Sequence, residues 1–188
     1  MPAAAGATPP PLVLANHGLR HSGGIERYLL TLVDALHARA IRPTVVARRF
    51  ERSLPEYGWV DPVAVPTFGL PAALRDRWFS RRLVALKRRH GWYPVIGLNQ
   101  TRASDIAICG STHPGWLAAS GRAPDWRDRM ASALEHDHFN GAAVVIAHSR
   151  LMARQLVQHH GVAADRIEVL HPPVDTRRFH PVSAEQRR

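Results

Sequence analysis

The sequence predicts an α/β fold with a Rossmann-like parallel sheet covered by helices on both faces. Three observations carry that expectation. Short apolar segments alternate with longer amphipathic ones along the whole chain. Most of the short segments have no polar alternate residue, as expected of strands buried on both sides. The first of them runs directly into a Gly-Gly pair and an amphipathic stretch, the strand-to-helix handover at which α/β proteins receive anionic groups.

In order, Pro11 to Ala15 reads as a strand and residues 25 to 40 as a helix, with Ile25, Tyr28, Leu29, Leu32, Val33 and Leu36 at three- and four-residue steps. Residues 43 to 47 give a second strand and 62 to 66 a third, with a proline at each end. A helix is expected from Pro71 to about His90, opened by proline and closed by Gly91. Residues 93 to 98 and 105 to 109 are the fourth and fifth strands, and residues 111 to 124, rich in Gly, Ser, Pro and Thr, read as a loop. A helix from about Asp125 to Phe139 and an apolar strand over 142 to 147 follow. Ser149 caps a helix over 150 to 160 whose apolar stripe is Leu151, Met152, Leu156 and Val157, ended by Gly161. The last strand covers 166 to 170, before the turn His171-Pro172-Pro173-Val174.

A length of 188 residues fits one domain with a substantial core. Residues 1 to 10 lack both a basic start and a long apolar run, so they read as a disordered tail rather than a secretion signal. No apolar run approaches the ~20 residues of a membrane span. Cys109 is the sole cysteine, which excludes an intrachain disulfide and a four-thiolate metal site and suggests a cytoplasmic address. The net charge of +10 favours an anionic partner without selecting one. Lys87 is the only lysine among 25 basic residues.

The closing third is the specific part. Val144-Val145-Ile146-Ala147-His148-Ser149, a helix, and Gly161-Val162 through Arg166-Ile167-Glu168-Val169-Leu170 to Val174-Asp175, Phe179 and Pro181 resemble the end of the N-terminal domain in family 4 retaining glycosyltransferases of the two-domain GT-B type. Pro173 stands where that family usually has glycine. Gly23-Gly24-Ile25-Glu26-Arg27 falls where the family has its glycine loop. The resemblance covers residues 11 to 182, and 183 to 188 would begin an interdomain linker. Gly97-Leu98-Asn99, then Asp105-Ile106-Ala107-Ile108, is somewhat similar to the branch that glycosylates lipopolysaccharide cores, with Ser111 at a position that is acidic there.

The resemblance implies transfer of a hexosyl-type sugar, with retention, from a nucleotide-diphosphate donor to a glycan or glycolipid acceptor held mainly by this domain. No Asp-x-Asp motif is present, and neither metal nor other cofactor is expected. The motifs of the nucleotide-binding half are absent from these 188 residues. Transfer is therefore expected to need that domain, for instance on a separate partner chain.

Gly23 and Gly24 are the candidates for donor phosphate or sugar contact, because glycine lets an anion approach the first-turn N–H groups. Arg20, Asn99 and Ser111 are candidate acceptor-binding residues. His113, in the loop after the fifth strand, is the candidate catalytic residue; a surface histidine is the alternative. Glu26 reads as a partner of the helix dipole. Glu135 and His136-Asp137-His138 do not make a metal site, since histidines two apart on a helix diverge.

Leu74 to Arg89 joins Trp78, Phe79 and leucines to seven basic residues and one acid. Such a helix suits either the core or an anionic membrane at the inner face. The competing readings are a basic, non-catalytic binding module for a partner chain, membrane or nucleic acid, and a dinucleotide oxidoreductase. Nucleic acid is not expected, because no recognition helix or aromatic sheet face is evident. The oxidoreductase lacks the third glycine, and its second strand ends in Arg48-Arg49.

Overall fold

The computed structural model describes residues 11–174. The tail at 1 to 10, the motif residues Asp175, Phe179 and Pro181, and the linker at 183 to 188 lie outside the described residues. Among the described residues, nine strands and five α-helices follow in chain order: β1 (Val13–Ala15), β2 (Gly18–Leu19), α1 (Gly24–His37), β3 (Thr44–Ala47), β4 (Arg49–Phe50), β5 (Asp61–Ala64), α2 (Ala72–His90), β6 (Val95–Gly97), β7 (Ile106–Cys109), α3 (His113–Ser120), α4 (Trp126–Gly141), β8 (Val144–Ala147), α5 (Arg150–His160) and β9 (Ile167–Val169).

Seven strands form one wholly parallel sheet in the order β5-β3-β1-β6-β7-β8-β9. The chain builds outward from β1 through β3 to β5, and α2 then returns it to the other side of β1. That reversal opens a crevice between the carboxyl ends of β1 and β6, the place where open α/β sheets take ligands. Alternation within the strands supplies both faces. Leu14, Val45 and Ile108 pack with Leu29, Leu30 and Val33 of α1 on one side. Val13, Ala15 and Val95 meet Phe79 and Leu83 of α2, and Ala107, Val145 and Ala147 meet Phe139 of α4 and Leu156 of α5, on the other. Each fully buried Leu or Phe contributes about 2 kcal/mol.

Local signals set the boundaries. Gly91 and Gly161 end α2 and α5 in the left-handed conformation, at φ 63° and 65°, where a Cβ would be strained. The Ser149 hydroxyl accepts from the Met152 N–H, and Asp125 with Asp128 makes a reciprocal cap on α4. Pro62 is tolerated because β5 is an edge strand.

Two expectations are corrected, and one strand pair is added. The stretch from 111 to 124 is not a loop, because α3 occupies its centre. Thr112 caps that helix, Pro114 sits in its first turn and Gly121 ends it, so the residues that look loop-forming are its start and stop signals. The apolar stripe of α5 is narrower than expected: Leu156 is buried, but Leu151 and Val157 are 56% and 47% exposed. The short parallel pair β2-β4 gives no sequence signal at two residues each.

Candidate functional site

The loops leaving the carboxyl ends of the sheet converge on a cavity of about 440 Å³. Gly24, Ile25 and Tyr28 come from the start of α1; Leu98, Asn99 and Gln100 follow β6; Gly110 and Ser111 follow β7; His148 follows β8; and Pro172 follows β9. His138 and Phe139 of α4 close its floor. None of the described residues lining it is Asp, Glu, Lys or Arg.

The two glycines differ. Gly23 is the N-cap of α1 and offers no side chain to its first-turn N–H groups. A Cβ built on Gly23 would lie 3.0 Å from the Glu26 carboxylate, which folds back over the helix end. Gly24 lines the cavity, and a Cβ there would meet nothing within 4 Å. The open backbone is therefore at Gly24. Glu26 takes the dipole-complementing place anticipated for it.

Asn99 and Ser111 line the cavity, as does Gln100, which the sequence reading passed over. The Asn99 side-chain oxygen accepts the His17 N–H at 2.7 Å, so its amide nitrogen faces outward. Arg20 is not among the lining residues; its aliphatic stem covers Gly18.

His113 is the first residue of α3 rather than a loop residue, and it is absent from this cavity's wall. Its ring nitrogen Nε2 lies 2.9 Å from the Asp128 carboxylate, which also receives Arg122 at 2.7 Å on both oxygens. That guanidinium, then the Asp125 N–H, hold Asp128 well below the usual carboxylate range. His113 instead lines a second cavity of about 330 Å³ with Asp76, Arg77, Gln100 and Arg127. Beside it, Arg48 binds Asp76 at 2.6 Å and the His17 ring approaches Asp76 at 3.4 Å. Burial pushes His17 down to about 4, partly opposed by Asp76.

Two histidines of the first cavity escaped the sequence reading as site residues. His148 packs edge-on to Tyr28 with ring centroids 4.7 Å apart, and burial lowers its pKa. His138 is 1% exposed, and burial pushes it down to about 4. Its Nδ1 faces the Thr101 carbonyl at 3.0 Å, and its Nε2 has no hydrogen-bond partner among the described residues. Both rings are neutral at pH 7. His136, by contrast, points to solvent, so the two histidines of that tripeptide do diverge. The useful signal for His148 was its place one residue past an apolar strand.

Behind the wall, Glu135 is 1% exposed. It accepts the His113 N–H at 2.8 Å and the Gln100 amide at 3.3 Å, with His160 Nε2 3.0 Å away. Among the described residues, no group of three or more His, Cys, Asp or Glu is placed to hold a metal ion, and no helix is long and apolar enough to cross a membrane.

Comparison with known proteins gives this arrangement a family. Residues 22–178 match the profile of Glycosyltransferase Family 4. A probable transglycosylase of Burkholderia thailandensis is 45% identical over 174 residues, covering 93% of this chain and 48% of that protein. A D-inositol 3-phosphate glycosyltransferase of Pseudarthrobacter chlorophenolicus is 26% identical over 191 residues, covering 87% of this chain and 45% of that protein. Among solved structures, WaaG, a glycosyltransferase involved in lipopolysaccharide biosynthesis, superposes with a TM-score of 0.73 at 15% identity, over 85% of this chain and 44% of that one. That likeness shows the GT-B-type Rossmann-like fold. The chain thus spans about half the length of the relatives it matches. With the family profile covering most of its residues, and a relative 45% identical across 93% of it, the chain belongs to glycosyltransferase family 4.

Proposed function

We propose that this chain forms the acceptor-side wall of a retaining glycosyltransferase, which moves a hexosyl-type sugar from a nucleotide-diphosphate donor to a glycan or glycolipid. The observation that carries this reading is the meeting of the open α1 N-terminus at Gly24 with Asn99, Gln100, Ser111 and His148 in one cavity at the sheet's carboxyl edge. Departure of the diphosphate is the hard step, and unpaired first-turn N–H groups stabilise charge developing on a phosphate. Neutral His148 and the Asn99 amide offer hydrogen bonds to sugar hydroxyls. No metal or other cofactor enters the scheme. His113 supports the wall from behind: its backbone N–H and ring are both engaged, with Glu135 and Asp128.

The nucleotide is read as binding a second domain supplied outside these 188 residues. The test joins this chain to the carboxyl-terminal half of the Burkholderia relative and measures nucleotide-sugar consumption with glycan and glycolipid acceptors. Turnover is expected from the joined protein and none from the 188-residue chain alone. Gly24→Ala is expected to leave the fold intact, since its Cβ meets nothing, and to lower kcat/KM about 100-fold by crowding a phosphate contact. Unchanged kcat/KM would remove the phosphate role.

The membrane reading of α2 is favoured by a specific observation. Phe79 and Leu83 are buried, whereas Leu74 and Trp78 are 45% and 47% exposed among arginines. An exposed apolar pair with basic neighbours suits an anionic bilayer surface. Flotation with anionic vesicles is expected to capture the chain, and Trp78→Ser with Arg81→Gln and Arg82→Gln to release it. Equal capture of both proteins would end this reading.

A further inference from the structure

The second cavity lies between α2 and α4 and carries a different chemistry from the first. Asp76 and Arg77 come from the amino-terminal part of α2, and Arg127 from the first turn of α4. Met130, Ala131 and Leu134 of α4 make the rest of that side apolar. Two arginines distant in the chain thus border one hollow of about 330 Å³.

The pairing of charges around it is uneven. Several arginines of this fold direct their donors at protein carboxylates: Arg42 at Asp61, Arg48 at Asp76, Arg102 at Asp137 and Arg122 at Asp128. Among the described residues, Arg77 and Arg127 form no such pair. The one acid on the wall, Asp76, is already held by Arg48 at 2.6 Å, and Asp128 behind His113 is held by Arg122 at 2.7 Å. Two positive charges are left without a counter-charge beside a partly apolar wall, which strengthens their field.

Arg127 is already ordered for a ligand. Its guanidinium lies over the Trp126 ring, 5.2 Å from the centroid. Stacking holds the planar group by its face and leaves its edge N–H donors for an oxyanion. Arg77 is exposed and also borders a shallow hollow beside Arg81 and Asp137. It has no ion-pair partner among the described residues to give up, so closing on a ligand in the cavity costs it mainly side-chain entropy. A phosphate monoester carries about 1.5 to 2 negative charges at neutral pH and three terminal oxygens, enough for two forked guanidiniums. A carboxylate is matched by one. The volume also leaves room for a small alcohol bearing the phosphate.

We propose that the second cavity binds the phosphate group of a phosphorylated ligand between Arg77 of α2 and Arg127 of α4. This goes beyond the transferase reading, and its test needs no turnover. A soluble ester and a lipid headgroup present the same group, so two arms separate the sources.

The first arm follows binding of inorganic phosphate and glycerol 3-phosphate to the 188-residue chain by ligand-detected NMR, with glycerol as the neutral comparison. Saturable binding of the phosphates and none of glycerol is expected. Arg77→Gln with Arg127→Gln should weaken it about tenfold. Arg39→Gln with Arg52→Gln removes the same charge from exposed positions outside both cavities, and should change it less than about twofold. All four side chains are exposed, so unchanged thermal midpoints are expected of both variants. The second arm compares flotation of the same proteins with phosphatidylcholine vesicles containing phosphatidic acid.

Weaker soluble binding in the Arg77/Arg127 variant with vesicle capture intact assigns the site to a soluble ester. Loss of vesicle capture in that variant, beyond any loss in the Arg39/Arg52 variant, assigns it to a lipid headgroup. Binding of neither probe, or equal losses in the two variants, would overturn the proposal. Turnover by the joined protein tests the transferase reading separately, and neither result depends on the other.

Discussion

The two cavities are neighbours, yet they are built in opposite ways. The first is lined by strand-end loops, neutral side chains and open backbone; the second is bounded by α2 and α4 and holds Asp76, Arg77, His113 and Arg127. Although the chain carries a net charge of +10, none of the described residues on the wall where the sheet's topology places a ligand is Asp, Glu, Lys or Arg. The charge therefore says little about the cavity at the switch point. Two amides at that wall are each held by a partner from another part of the chain, Asn99 by the His17 N–H and Gln100 by Glu135.

The comparison breaks most sharply at Gly97, under the first cavity. A Cβ there would lie 2.0 Å from Ser104 Oγ and 2.9 Å from His138 Cε1. Gly97→Ala is expected to cost about 3 kcal/mol, read as a lower denaturation midpoint in urea. An equal midpoint would show that the floor is soft rather than packed.

Acid should affect both regions together. His138 beneath the first cavity and His17 beside the second are each held down to about 4 by burial, from an ordinary 6.5. Below pH 6.5 the unfolded chain takes up these protons and the folded chain does not, so stability falls as pH drops towards 4 and the loss levels off below it. Each depressed unit is worth about 1.4 kcal/mol per group. Equilibrium denaturation between pH 7 and 4 should show this loss, and His138→Gln should flatten the slope by about one proton.

A smaller effect separates the regions. Asp76→Asn leaves Arg48 without its carboxylate and should cost about 0.5–1 kcal/mol, as for a partly exposed pair. Because Asp76 raises the His17 pKa, the variant should lower it further in an NMR titration while leaving His138 unmoved. Movement of both would mean that the cavities are electrostatically one.

The mildest prediction concerns Cys109, whose thiol burial pushes up to about 12. It should resist a thiol reagent at pH 8 until the chain unfolds. Rapid labelling of the native protein would show that the wall behind Ser111 opens.

Much of the fold was legible because it rests on local rules. Continuous apolar segments such as 142 to 147 mark doubly buried strands, and Ser149, Gly91 and Gly161 mark helix ends by hydrogen bonding and backbone freedom. The same rules misread residues 111 to 124, where Thr112, Pro114 and Gly121 bound a helix of only eight residues. Gly24, Asn99 and Ser111 line the first cavity, and their places in the segments after apolar strands are legible in the sequence. His113 also follows a strand end, but its ring turns to Asp128, a partner 15 residues away. His138 and Tyr28 carry no motif and lie within helices, so they join this wall only once the helices are packed, whereas Gln100 shares the strand-end position of Asn99.

By itself the sequence determined the order of the seven main-sheet strands and of four of the five α-helices, the glycine opening of α1 and the family signature at the carboxyl end, since each depends on residues close together in the chain. Tertiary structure alone decided which glycine is open, which histidines are buried and neutral, and which way the Asn99 and Gln100 amides face. Those features depend on contacts such as Asn99 with His17 and Gln100 with Glu135, 82 and 35 residues apart. Separations of that size exist only after the sheet has brought its carboxyl ends to one edge.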